Sequence, residues 1–182
     1  MQRVIKTQRL VLKTLDESGA GDVLDYYSRN RDFLEEWEPK RGEDFYTEAF
    51  HRDELIRERR CMDEGSMLKL WICKAAEEKL IGFASFSNIV RGPFLSCFLG
   101  YKLDKDELNK AYMTEALRAG IGVMFNDYGL HRIEANIMPK NARSLRVVEK
   151  LGFYNEGYAK KYLKINGVWE DHIHMVLLND NL

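Results

Sequence analysis

The chain has 182 residues, 45% apolar and 31% charged, with a formal net charge of −1. That length suits one domain around one sizeable core, and the near-zero charge gives no global attraction to nucleic acid or an anionic membrane. Three cysteines without a CxxC pair suggest neither a disulfide framework nor a zinc site, no run approaches the roughly 20 apolar residues of a membrane span, and MQRVIKTQRLVLKTL lacks a secretory apolar segment, so a cytoplasmic location is expected.

Leu10 to Leu15 (LVLKTL) reads as a first strand, and Asp16-Glu-Ser-Gly leads into a helical pattern through Val23, Leu24 and Tyr27. Phe33, Leu34 and Trp37 keep helical spacing until Pro39 and Gly42 break the chain. A charged helix covers about Tyr46 to Asp63. Met67–Lys74 and Leu80–Val90 are apolar strands that AAEEK can join as a hairpin, and Leu95–Leu103 is a third after Arg91-Gly92-Pro93. Cys73 and Cys97 fall inside these runs and read as reduced core residues. Three strands in a row and then a helix suggest an antiparallel meander leading into α/β structure.

The helix Met113 to Asp127 carries Met113, Ala116, Leu117, Gly120, Ile121 and Met124 on one stripe. Gly129 follows it, His131–Met138 is strand-like, and Pro139 ends that strand. Asn141 can cap a short helix with Ala142, Leu145, Val148 and Leu151 inward and Gly152 at its end. Tyr154–Ile165 and Val168–Leu178 close the chain as strands joined through Asn166-Gly167, a hairpin turn signal. No repeat, low-complexity tract or linker is visible, so residues 1–182 are expected to form a single domain.

The segment LDKDELNKAYMTEAL, Leu103 to Leu117, runs from a strand end through a polar loop into a helix. Unpaired amides and partial positive charge at a helix start attract phosphate. Asn109 to Met113 are the natural donors, and Lys110 adds a full charge. A strand–loop–helix joint that binds nothing is the bland alternative. Glu134 is a carboxylate in an apolar strand, readable as a general base or as a strand-edge surface residue. His172 and His174 alternate onto one strand face without a third ligand, and no metal is expected. Trp71 and Trp169 read as core or strand-face aromatics.

The order β-α-α-β-β-β-α-β-α-β-β resembles the GNAT superfamily of N-acetyltransferases. NRDFLEEWEP (Asn30 to Pro39), FSNIVRG (Phe86 to Gly92), LGY (Leu99 to Tyr101), YMTEAL (Tyr112 to Leu117), HRIEANIMP (His131 to Pro139), NARSLRVVEKLGFYNEG (Asn141 to Gly157) and NGVWEDH (Asn166 to His172) narrow it to the RimJ/RimL type of ribosomal-protein acetyltransferases. The resemblance implies an α+β (α/β) fold, the GNAT acyl-CoA N-acyltransferase fold, with a central mixed, mostly antiparallel sheet of about seven strands flanked by helices.

It further implies transfer of an acetyl group from acetyl-CoA to the N-terminal amine of a ribosomal protein, by direct attack and without metal. No nucleic-acid or membrane contact is implied, and the chain would be a monomer or homodimer. Acetyl-CoA would lie along Tyr101, Leu103, Asn109, Lys110, Ala111, Tyr112, Met113, Thr114, Asn141 and Ser144. Asn141 would contact pantetheine, and amides near Tyr101 and Leu103 would stabilise the oxyanion. Ser144 would assist the thiolate as general acid, and Arg143 and Arg146 could reach the 3′-phosphate. Glu134 would be the base, with Asp171 and Glu115 in reserve, since Leu163 stands near where some RimL-like enzymes carry a carboxylate. Phe33, Trp37 and Asp171 would meet the acceptor.

The chain departs from the superfamily loop pattern Gln/Arg-x-x-Gly-x-Gly/Ala, with Leu108, Ala111 and Met113 at the three marked positions. A left-handed backbone at Ala111 would cost roughly 1–2 kcal/mol and could loosen the cofactor about tenfold. A small-amine acetyltransferase and a non-catalytic acyl-CoA-binding or ribosome-associated module remain as alternatives.

Overall fold

Alternation along β2 (Leu10–Lys13) buries Leu10 and Leu12 and leaves Val11 and Lys13 half-buried. β3 (Leu68–Lys74) is instead covered on both sides. Leu70 and Ile72 belong to one core, and Trp71 and Cys73 to another on the opposite face. A strand buried on both faces needs apolar residues in succession, which LKLWICK supplies. The computed structural model describes residues 3–180 and thus a sheet with a helical layer on each side.

The sheet has eight strands in the order β1-β2-β3-β4-β5-β6-β8-β7. To those named come β1 (Val4–Lys6), β4 (Leu80–Val90), β5 (Ser96–Leu103), β6 (Arg132–Ile137), β7 (Tyr154–Ile165) and β8 (Val168–Leu178). About seven strands are expected from the sequence; the eighth is β1, a three-residue segment paired antiparallel to β2. All neighbours run antiparallel except β5 and β6. The final hairpin turns through Asn166 and Gly167, both at positive φ, as a type I′-like turn requires.

α1 (Ala20–Arg29), α2 (Arg31–Glu35) and α3 (Glu48–Asp63) cover the Trp71 face. Thr47 caps α3 by accepting from the Phe50 amide. α4 (Tyr112–Asn126) and α5 (Ala142–Glu149) cover the other face. All six stripe residues of α4 are buried. Gly120 lets that helix lie close: a Cβ there would stand 2.8 Å from the Phe86 ring. Cys73 and Cys97 are buried and Cys61 half-buried, all three unpaired. Trp71 is enclosed, whereas Trp169 is exposed on the closing hairpin. No helix among the described residues is long and apolar enough to cross a membrane.

Candidate active site

β5 and β6 pair only through Ser96–Arg132, Cys97–Ile133 and Phe98–Glu134. Beyond Phe98, β5 stays paired to β4 as far as Leu103, so its other edge is left without a strand partner. Each diverging strand then feeds a helix, β5 into α4 and β6 into α5. Because the two strands are parallel, both helix N-termini meet at their carboxyl ends, where α/β sheets hold ligands. A cleft of about 330 Å³ opens there. It is lined by both faces of β5 (Tyr101 and Leu103 against Lys102), by the starts of α4 and α5, and by Phe33, Leu34 and Trp37 from the opposite layer. The cleft therefore passes through the sheet at the gap between the parallel strands.

At the start of α4, Leu108, Asn109, Ala111, Tyr112, Met113 and Thr114 line the cleft. Asn109 (φ 62°) and Ala111 (φ 60°) are both left-handed, and Ala111 makes no side-chain cap. The first amides of α4 have no acceptor within the helix, and the loop directs a partial positive charge at the cleft. Arg9 secures the loop from behind. Its guanidinium donates to the Lys110 carbonyl at 3.0 Å and to Glu115 at 2.7 Å, and lies 4.7 Å from the Tyr112 ring centre. Glu115 also accepts from Thr7 at 2.7 Å, so this reserve base is a structural brace.

Asn141 caps α5 through its side-chain oxygen, which accepts from the Ser144 amide at 3.1 Å. Its side-chain amide nitrogen remains to donate to a ligand. The Tyr101 hydroxyl donates to the Ser144 carbonyl at 2.9 Å, bridging β5 to α5 across the gap. Burial pushes the Tyr101 phenol well above its ordinary pKa, so it stays protonated. Asn141, Arg143, Ser144, Arg146, Val147 and Lys150 complete the α5 wall.

The acetyltransferase (GNAT) domain family matches residues 9–154. The chain belongs to that family. Among its relatives is the ribosomal protein uS5-alanine N-acetyltransferase of Escherichia coli (strain K12), 40% identical over 169 residues, covering 93% of this chain and 87% of that one. The solved ribosomal-protein-S5-alanine acetyltransferase from Vibrio fischeri superposes with a TM-score of 0.94 at 36% identity, over 98% of each chain. RimJ of Mycobacterium smegmatis, solved with CoA-disulfide, superposes with a TM-score of 0.90 at 27% identity, over 100% of this chain and 87% of that one.

Within this GNAT chain, three residues expected at the site do not line the cleft. Lys110 turns back, its ammonium donating to the Asp106 carbonyl at 2.8 Å and to Glu107 at 2.9 Å. Glu134 is clamped, with Arg132 donating to one oxygen at 2.8 Å and His174 Nδ1 lying 2.7 Å from the other. Burial raises the Glu134 carboxyl, but the bonds from Arg132 and His174 outweigh it and hold the pKa below the ordinary value. A carboxylate so held is a poor proton acceptor, and Glu134 is a structural ion-pair residue. Asp171 accepts from the Tyr158 hydroxyl at 2.6 Å and from the Lys161 amide at 2.7 Å, pinning the bulge in β7.

Lys102, Val147 and Lys150 line the cleft without being singled out by the sequence. Alternation places Lys102 on the face away from Tyr101 and Leu103, which gives no sign that it borders the same cleft. Arg9 carries no sequence signal, because its partners Lys110 and Glu115 stand about a hundred residues away. Among the described residues no group of three or more His, Cys, Asp or Glu could hold a metal ion.

Proposed function

We propose that this GNAT protein acetylates the N-terminal α-amino group of a ribosomal protein, with acetyl-CoA as co-substrate. The observation that carries the reading is the cleft itself, which joins a cationic, amide-rich end through the sheet to a mouth of apolar side chains and one lysine, Lys102. Phosphates suit the first end, where the α4 amides, Arg143, Arg146 and Lys150 converge. An extended pantetheine suits the unpaired edge of β5 at Tyr101 and Leu103, with Asn141 as a further donor. The mouth, walled by Phe33, Leu34 and Trp37, suits a chain terminus entering from the other face. The uS5-alanine acetyltransferase relatives, similar over nearly the whole chain, support the acceptor class.

The neutral amine attacks the thioester carbonyl carbon, the C–N bond forms, and the C–S bond breaks as CoA leaves. Edge amides of β5 face the oxygen on which charge develops. Ser144 passes its hydroxyl proton to the departing sulfur and is reprotonated, through water, by the proton that the attacking nitrogen loses as it becomes an amide. A thiol of ordinary pKa about 8.5 needs only mild help. An α-amine of pKa about 7.7–8.0 is roughly a tenth neutral at pH 7, so water can take the proton.

Peptides beginning with Ala, Ser, Thr or Met and a set of small amines, supplied with acetyl-CoA and followed by CoA release, test the reading. Turnover of peptides with a free N-terminus is expected. Turnover of small amines alone would overturn the acceptor class, and no turnover with either would overturn the enzyme reading.

A further inference from the structure

Among the described residues that line the cleft there are four cations, Lys102, Arg143, Arg146 and Lys150, and neither a carboxylate nor a histidine. Three of the four stand on or just after α5, at the phosphate end. Lys102 alone stands beside Phe33 and Trp37, at the acceptor mouth. Its ammonium donates to Glu38 Oε2 at 2.6 Å, and that same oxygen accepts from Arg41 at 3.1 Å. The Glu38 side chain is only 5% exposed. One buried carboxylate therefore serves two cations, and a positive charge is left in excess. The neighbouring cation, Lys69 on β3, is matched one to one by Glu58 of α3 at 2.5 Å. The aromatic faces of Tyr27 and Phe83, 5.9 and 5.7 Å from the Lys102 nitrogen, replace water around it. A charge in such surroundings is screened far less than one at the surface.

We propose that Lys102 takes the place of a general base: its half-buried ammonium makes the protonated acceptor unfavourable in the cleft, so that the amine is held neutral and its proton leaves to water before attack. The proposal deepens the amine-acetylation reading and rests on it, although it holds for any amine acceptor. Burial lowers the pKa of Lys102 and Glu38 pulls it back, while Arg41 and Lys69 press it down. The bond to Glu38 favours the protonated form of Lys102 against burial, and that is the form the proposal requires. A like charge within several ångströms shifts an amine downward by about one pH unit at the effective dielectric of such sites. An α-amine of pKa about 7.7–8.0 then becomes about half to two-thirds neutral when bound at pH 7, against roughly a tenth when free.

The test is the pH profile of the single-turnover rate at saturating acceptor, read for the wild type, Lys102→Met and Lys102→Arg. That rate reports ionisations in the bound complex, whereas kcat/KM follows the free amine. In the wild type the acidic limb of the bound-state profile is expected about one unit below the free α-amine, in Lys102→Met about one unit higher than in the wild type, and in Lys102→Arg restored. The kcat/KM limb is expected to stay at the free-amine value in all three. Unchanged acetyl-CoA affinity in Lys102→Met shows that the cleft is still formed. A wild-type limb at or above the free-amine value, or an unmoved limb in a folded Lys102→Met, overturns the proposal. If no peptide is turned over, the acceptor class fails separately, and the same profile is read on whichever small amine is acetylated.

Discussion

Ala111 holds a left-handed backbone (φ 60°, ψ 12°). A left-handed alanine costs about 1–2 kcal/mol, which folding carries if the loop keeps this shape without cofactor. Glycine at this position would relieve the strain but lose about 0.5–1 kcal/mol of backbone entropy. Ala111→Gly is expected to raise Tm by about 1–3 °C while leaving acetyl-CoA affinity within about twofold. A large gain in affinity from calorimetry would show instead that the loop is ordered only on binding. Ser144→Ala is expected to lower turnover about tenfold with little change in acetyl-CoA affinity; equal turnover removes Ser144 from the chemistry. Glu134→Gln is expected to keep turnover near the wild-type level and to lose about 1–3 kcal/mol of stability, because Arg132 and His174 lose a charged partner. Denaturant melts and steady-state rates on the same preparation separate those two effects.

At the scale of elements, α3 brings a pH response into the protein. His51 on its first turns is 2% exposed, stacked 5.2 Å from Tyr27. Burial first, and then the charges of Lys69 and Arg41, push its pKa down from 6.5 to about 4. The unfolded chain therefore binds a proton that the folded chain refuses between those values. Stability should fall as pH drops from 6.5 towards 4, by on the order of 2–3 kcal/mol. His51→Phe should be flatter across that window in urea melts, and an equally steep His51→Phe would assign the response elsewhere.

The same elements mark how far the sequence could be read. The α4 stripe and the Asn166-Gly167 turn are local patterns, and both stand where the pattern puts them. β1 has three residues, too few to show a period. His174, a partner of Glu134, and Tyr158 and Lys161, the partners of Asp171, lie on neighbouring strands, whereas Lys110 folds back on Asp106 and Glu107 of its own loop. Alternation assigns such side chains to a face but not to a neighbour. The Lys102–Glu38–Arg41 triad was hidden for the same reason, since Lys102 and Glu38 are brought together only by the fold.

For the whole molecule, the decisive feature is one pair of parallel strands in an otherwise antiparallel sheet. Parallel strands place both following helix starts at one end, and their divergence beyond Phe98 opens the sheet from face to face. In the proposed reaction, acetyl-CoA and acceptor would approach the same carbonyl carbon from opposite layers. The most direct measurement supplies acetyl-CoA and a peptide with both a free N-terminus and an internal lysine, and locates the acetyl group by fragment mass spectrometry. The account predicts acetylation at the terminal nitrogen. Acetyl groups confined to the lysine side chain would contradict it.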